Sequence, residues 1–281
     1  MRFRKQLERP RQRLTIQSMK PFLLVFLLAA SLVGQTEAPA TSANGIPIDQ
    51  ANMQKARTLI SQAIEALGGQ AYLNIQDMSQ EGRGYSFHHG DSTSVGVQYW
   101  RFAKFPDKDR VEVTKQRDVM YVYNGNTGYE VTYKGARSME AKDLSNYLRR
   151  RHYGLEQVLR IWINAPKTAL FYEGNANAAD KPAEQVTVLN AQNEGVTLYF
   201  DINTHLPIKK TFSWRDPTDK ERNNEEEIYD NYRLVQNVMT PYRVTAFYNG
   251  DMSGQRFLNS VSYNKGLSDS MFEAKAISIK K

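Results

Sequence analysis

Polar and apolar positions change period several times along this chain, and each change marks an element. Over residues 49–67, Met53, Ala56, Ile60, Ala63, Ile64 and Leu67 recur on one helical stripe, with Asp49 placed as N-cap and Gly68-Gly69 as the stop. From residue 76 the period falls to two. Residues 76–88 and 93–105 read as strands joined at His89-Gly90-Asp91-Ser92, and residues 110–116, 119–124 and 127–133 continue the series. Asn124-Gly125-Asn126 supplies a tight turn between the last two. Val95, Val97 and Tyr99 lie on one side of their strand, while Trp100 and Phe102 put apolar surface near the other. Two-sided apolarity fits either a curved sheet with helices on its inner side or a bulge near Tyr99.

Residues 138–164 interrupt the alternation. Leu155, Val158, Leu159 and Trp162 fall at i, i+3, i+4 and i+7, a helical stripe, and Leu144, Tyr147 and Leu148 make a similar patch before Gly154. Strands then return over 168–173, 184–191, 195–203, 207–215, 225–235, 242–249 and 255–263, with a short tail at 269–273. In the third of these, Val196, Leu198, Phe200 and Ile202 face one way and Thr197, Tyr199 and Asp201 the other. The pattern predicts one α+β domain over 49–275, a sheet of about eleven strands with an N-terminal helix and a central helical segment.

The beginning of the chain has a different character. PFLLVFLLAASLVG at 21–34 follows a basic segment and precedes Ala38-Pro39-Ala40, the order of a secretory signal peptide. The run is shorter than the roughly 20 apolar residues that span a bilayer. We therefore expect residues 1–40 to be removed, 41–48 to be a flexible leader, 276–281 to be a tail, and the mature protein to be periplasmic. Met19-Lys20 offers a second start for the same signal, which leaves 1–18 as an extension.

Composition then narrows the chemistry. The net charge is +7, but residues 1–40 carry seven of the 37 basic residues and two of the 30 acidic ones. The rest is near neutrality, which removes charge as an argument for nucleic acid. The absence of cysteine excludes disulfides, thiolate metal sites and cysteine nucleophiles together. His88-His89 point to opposite faces of a strand, and His152 and His205 stand alone, so no metal site is read. No GxSxG elbow or SxxK pair is present, and no catalytic residue is assigned. Glu225-Glu226-Glu227 reads as a solvated strand entry. Arg149-Arg150-Arg151 beside the helical stripe reads as a solvated helix face or a contact for an anionic lipid surface.

Several segments resemble the LolA/LolB-type lipoprotein-carrier superfamily of outer-membrane lipoprotein-sorting proteins. They are the helix ending in ALGG, TLYFDINTHLPIKKTF at 197–212, IYDNYRLVQNVMTPYRVTAFYNG at 228–250, and LSDSMFEAK at 267–275. The resemblance implies an incomplete β-barrel, a strongly curved antiparallel sheet whose concave face is covered by helices around an apolar cavity. It implies a non-enzymatic carrier of acylated lipid or lipoprotein, probed by membrane-bound donor and acceptor proteins, without cofactor or nucleic acid, working as a monomer. The cavity residues expected on that basis are Val95, Val97, Tyr99, Tyr129, Val131, Val196, Leu198 and Phe200, with Leu155, Leu159 and Trp162 as lid. The carriers' specialised arginine does not map onto a motif of this chain; Arg83 and Arg101 are candidates by strand position only. The alternative is a periplasmic sensor or envelope-assembly module that binds a protein through the same fold.

Overall fold

The computed structural model describes residues 48–275. The expected signal peptide, the expected leader up to residue 47 and the expected tail lie outside the described residues, as does the expected cleavage after Ala40, while Ile48, assigned to the leader, begins the first helix.

Helix α1 spans Ile48–Leu67 and a single turn, α2, spans Gln70–Leu73. The strands that follow are β1 Asp77–His88, β2 Asp91–Ser92, β3 Val97–Lys104, β4 Lys108–Val113, β5 Val119–Asn124, β6 Thr127–Thr132 and β7 Gly135–Ser138. Helices α3 Ala141–His152 and α4 Leu155–Arg160 come next, then a 3-10 turn at Trp162–Asn164. The second run of strands is β8 Ala169–Ala178, β9 Lys181–Leu189, β10 Gly195–Asp201, β11 Pro207–Arg215, β12 Arg222–Val235, β13 Val238–Tyr248 and β14 Asp251–Tyr263. A 3-10 turn at Asp269–Phe272 follows.

All strands join one antiparallel sheet in the order β7-β6-β5-β4-β3-β1-β14-β13-β12-β11-β10-β9-β8, with β2 paired to β1. The first and last strands of the path, β7 and β8, are not neighbours, so the sheet is open. The strand count is fourteen rather than about eleven. Two of the additional strands are short pieces: β2 is two residues, and β7 is a four-residue edge strand just ahead of α3. Neither is long enough to show a period. Asp49 stands inside the first turn of α1 rather than ahead of it.

Ala56, Leu59, Ile60, Ala63, Ile64 and Leu67 of α1 are all buried. They pack in one cluster with Leu155, Val158, Leu159 and Trp162 and with the inner side chains of β8 to β14. Each buried leucine, isoleucine or valine among them contributes about 1.5–3 kcal/mol of hydrophobic stabilisation, so α1 and α4 are held by their stripes. Met53, the remaining member of the α1 stripe, is exposed. The other face of the sheet carries a second, smaller cluster of Met120, Val122 and Val131, with Ala274 of the C-terminal segment packed on it.

The two-sided apolarity of β3 has a local cause. Its pairing with β1 runs without interruption from Asp77 and Lys104 to Gly84 and Val97, so β3 itself is regular. The bulge lies next door, between Glu81 and Gly82 where β1 meets β14. Tyr99 faces Gly82, where an added Cβ would stand 2.7 Å from the tyrosine oxygen. On the outer face Trp100 and Phe102 lie beneath Arg117, whose guanidinium carbon is 5.0 and 5.8 Å from the two ring centres.

β12 departs from alternation as well. Tyr229 and Tyr232 are three residues apart, yet both pack on the main cluster. Asn231 between them has φ 52°, a left-handed conformation that asparagine tolerates. The Tyr229-Asp230-Asn231-Tyr232 motif therefore turns two tyrosines to the same side.

Candidate functional site

The helix side of the sheet divides into three regions. The first lies under α1 and α4. Val196, Leu198 and Phe200 of β10 meet Val186, Val188 and Phe212 there, together with Leu155, Leu159 and Trp162. This juxtaposition of three expected cavity residues with the three expected lid residues is present. Leu198 and Val196 are 0 % exposed, however, so these side chains form a closed apolar layer.

The second region lies under α3. Arg101 Nε donates to both carboxylate oxygens of Asp109, at 3.1 and 3.0 Å, and Tyr147 of α3 donates to Asp109 Oδ2 at 3.1 Å. The Tyr147 ring stacks on Tyr123, centre to centre 3.4 Å. Burial, and then the Asp109 charge, push the Tyr147 phenol up; burial pushes Tyr123 up to about 12. Burial would lower the Arg101 guanidinium, but Asp109 outweighs it and raises it. Arg101 is thus on the helix side and tied to a carboxylate. Arg83 pairs with Gln98 and Phe257 and so takes the opposite face.

The third region is the strip between them, on β11 to β14 and β1. Lys210, 2 % exposed, donates to Glu227 Oε2 and to the Tyr153 carbonyl, each at 2.9 Å. Tyr229 donates to Glu227 Oε2 at 2.7 Å, and Arg256 stands 3.7 Å from its other oxygen. Burial alone would raise the Glu227 carboxyl, but Lys210, then Arg256, hold it down at about 2. Beside this network Tyr232, Val244 and Val261 pack on the main cluster while remaining partly exposed.

Four expected cavity residues are elsewhere. Val95 stands in the connection before β3, 95 % exposed, where no strand holds it against the core. Val97, the first residue of β3, is 44 % exposed. Tyr129 and Val131 belong to the outer-face cluster under the C-terminal segment. They oppose Val122 and Met120 on β5, whereas Tyr123, their neighbour in that strand, is the residue turned toward α3. Tyr99 is buried on the helix side, against Gly82.

The arginine cluster is tied to the sheet rather than standing as a free helix face, with Arg150 the exposed member. Arg149 stacks 3.5 Å from the Trp214 ring centre and donates to Glu225, which Arg150 and the Trp214 indole N–H also reach. Arg151 donates to the Asp107 and Gly125 carbonyl oxygens at 3.2 and 2.7 Å. Together they fasten the end of α3 to the sheet. Glu225 is correspondingly a buried partner and Glu227 a partly buried one, rather than a solvated entry. The signal missed in the sequence was the period of two: Glu225 and Glu227 share a face with Lys210 and Phe212 across β11.

Asp201 Oδ1 accepts the Asn203 and Thr204 amides at 2.9 Å and so builds the β10–β11 turn. His152 bonds Glu194 at 2.8 Å, and His89 bonds Asp251 at 3.1 Å. Among the described residues, no group of three or more His, Cys, Asp or Glu is gathered to hold a metal, and no helix is long and apolar enough to cross a membrane.

This fold, an open antiparallel sheet with helices on one side, is shared with solved structures. A DUF1329 family protein from Desulfovibrio piger superposes with a TM-score of 0.55 at 11 % identity, over 78 % of this chain and 97 % of that one. A putative outer membrane lipoprotein-sorting protein domain from Vibrio parahaemolyticus superposes at 0.51 and 9 % identity, over 79 % and 97 %. A LolA superfamily protein from Nitrosomonas europaea reaches 0.48 at 14 % identity, over 78 % and 97 %. The first two share the fold of this chain, and the second bears the lipoprotein-sorting description that the sequence resemblance names. No protein-family model matches the sequence, and no curated protein matches it.

Proposed function

We propose that this protein is an exported carrier that binds the acyl chains of a lipid or lipoprotein on the helix side of its sheet. The observation that carries this reading is the strip where Tyr232, Val244 and Val261 remain partly exposed while packed on the main apolar cluster. These side chains are the rim of the layer that continues to Leu198 under α1 and α4. Burial of acyl chain contributes about 0.8 kcal/mol per methylene, so apolar contact supplies affinity without a catalytic group. In this reading the chain enters at the rim and extends as α4 moves aside, replacing α4 side chains with its own methylenes. The ion pairs Arg101–Asp109 and Lys210–Glu227 bound the polar end of the path.

A protein partner on the same surface is the second reading. The complete burial of Val196, Leu198 and Phe200 favours it, because that layer is already filled in the free chain. Mass spectrometry of lipids extracted from the purified, exported protein tests the two. Acyl lipid in the extract supports the carrier. Lipid-free protein that takes up no fluorescent fatty acid leaves the partner reading in its place.

A further inference from the structure

The face of the sheet away from the helices carries a recess of about 460 Å³. Its walls include Ile208, Ile228 and Phe257, with Lys181, Asp230 and Arg243 around them. Ile228 and Asp230 flank Tyr229, which packs on the helix side, so alternation gives them the other face. Two irregularities in neighbouring strands open the recess. Tyr199 pairs with Lys209 but Phe200 pairs with Pro207, so Ile208 is an extra residue in β11. Ile208 thereby joins a small outer cluster with Ala178, Ala183 and Tyr199, while Phe200 stays in the main one. In β12 the left-handed Asn231, also in the wall, is passed over in the ladder with β13. Bulges are concentrated beside functional sites, where they re-aim side chains.

The ionic groups of the recess are only partly used. Arg243 Nε donates to both Asp230 carboxylate oxygens, at 2.6 and 2.8 Å. The other four of its five N–H donors, on the two terminal amino groups, make no hydrogen bond among the described residues, and the side chain is half-exposed. Lys181, at the start of β9, is exposed and has neither an ion pair nor a hydrogen bond among the described residues. Lys181 and Arg243 against Asp230 leave the recess a net charge of +1. A monoanion neutralises it, whereas a second negative charge would be left to meet Asp230. The planar guanidinium offers paired N–H groups at the spacing of two carboxylate oxygens. Ile208, Ile228 and Phe257 favour an apolar group attached directly to that carboxylate.

We infer that this recess is a second binding site, for a carboxylate carried on a compact apolar group. Arg243 and Lys181 hold the carboxylate, and Ile208, Ile228 and Phe257 enclose the apolar group. A free apolar acid and the C-terminal carboxylate of a peptide ending in an apolar residue present the same chemistry. The site lies on the opposite face from the acyl-binding strip and does not depend on the carrier reading.

The experiment is a nuclear magnetic resonance titration of the isotope-labelled protein. The ligands are N-acetyl-leucine, its neutral amide, and acetyl-Gly-Gly-Leu with a free or an amidated C terminus. The free acids are expected to shift the Lys181 and Asn231 amides and to bind about tenfold more tightly than the amides, the ratio a charge-assisted hydrogen bond provides. Lys181→Gln should bring acid and amide together. Arg243→Lys keeps a cation for Asp230 but removes the paired N–H edge, and should weaken the acids by a similar factor. Tighter binding of the peptide acid than of N-acetyl-leucine identifies a chain end as the source, and the reverse identifies a free acid. Equal affinity for acids and amides, shifts confined to other residues, or no binding of either acid would overturn the inference. So would undiminished acid binding by a folded Lys181→Gln or Arg243→Lys protein. If Arg243→Lys fails to fold, the exposed Lys181→Gln decides alone.

Discussion

Lys210 Nζ lies 2.9 Å from Glu227 Oε2 and at the same distance from the Tyr153 carbonyl oxygen that it donates to. One buried ammonium thus joins β11 to β12 and both to the junction of α3 with α4. Tyr153 is the C-cap of α3, and Gly154 begins α4. The contact therefore fixes the point about which α4 would swing.

The two partners should respond unequally to removal. Glu227→Gln leaves the Lys210 ammonium buried without its countercharge, which costs about 3–5 kcal/mol. Lys210→Met removes the buried charge, while Glu227 keeps Tyr229 and Arg256. That substitution should cost markedly less. Urea unfolding of the two variants checks the order, and equal losses would contradict the assignment of Lys210 as the more deeply buried member.

The same carboxylate predicts an acid response. Its folded pKa, about 2, lies below the ordinary 4.5. The stability it contributes is present above about pH 4.5 and is lost as the pH falls toward 2. Thermal unfolding across pH 2–5 should show a steeper decline for the wild type than for Glu227→Gln. Parallel curves would remove Glu227 from the acid transition.

Leu198 and Thr197 are neighbours on opposite faces of β10. Leu198 is wholly enclosed, whereas Thr197 is partly buried and shares a 3.0 Å hydroxyl contact with Thr187. Leu198→Glu places an ionisable group in a dry apolar layer and should destabilise by several kcal/mol. Thr197→Glu should be far milder. Circular dichroism in urea distinguishes them, and comparable stability would mean that the layer around Leu198 is open to water.

The alternation of β10 and the stripe of α4 were legible because each buries one complete face. Val196, Leu198, Phe200, Leu155, Leu159 and Trp162 accordingly meet. Placement of the first half was less legible, since β5 and β6 carry apolar residues toward both α3 and the C-terminal segment. Period alone does not say which apolar side faces the helices, and Tyr129 and Val131 were assigned to the wrong one. Val95 and Val97 lie where the strand has barely begun, so alternation there carries no information on burial.

Amide exchange should grade the helical segment. α3 has no fully buried side chain and is held by the Tyr147 stack and by arginine contacts, while α4 buries Leu155, Val158 and Leu159. Protection should rise from α3 to α4 to β10, the ordering expected of a cover that opens by local unfolding. Protection of α4 equal to that of β10 would make α4 a permanent layer and would close the entry path assumed above.

The most direct measurement is native mass spectrometry of the exported protein, with lipid extraction, for the wild type and for Val244→Glu. Val244 belongs to the partly exposed rim, opposite Tyr229 and Arg256, so a charge there meets an entering acyl chain before it disturbs the closed layer. The account predicts a wild type that carries acylated lipid and a folded Val244→Glu protein that carries little or none. A wild type free of lipid that also fails to take up a fluorescent acyl ester, or a folded Val244→Glu protein with undiminished cargo, would contradict it.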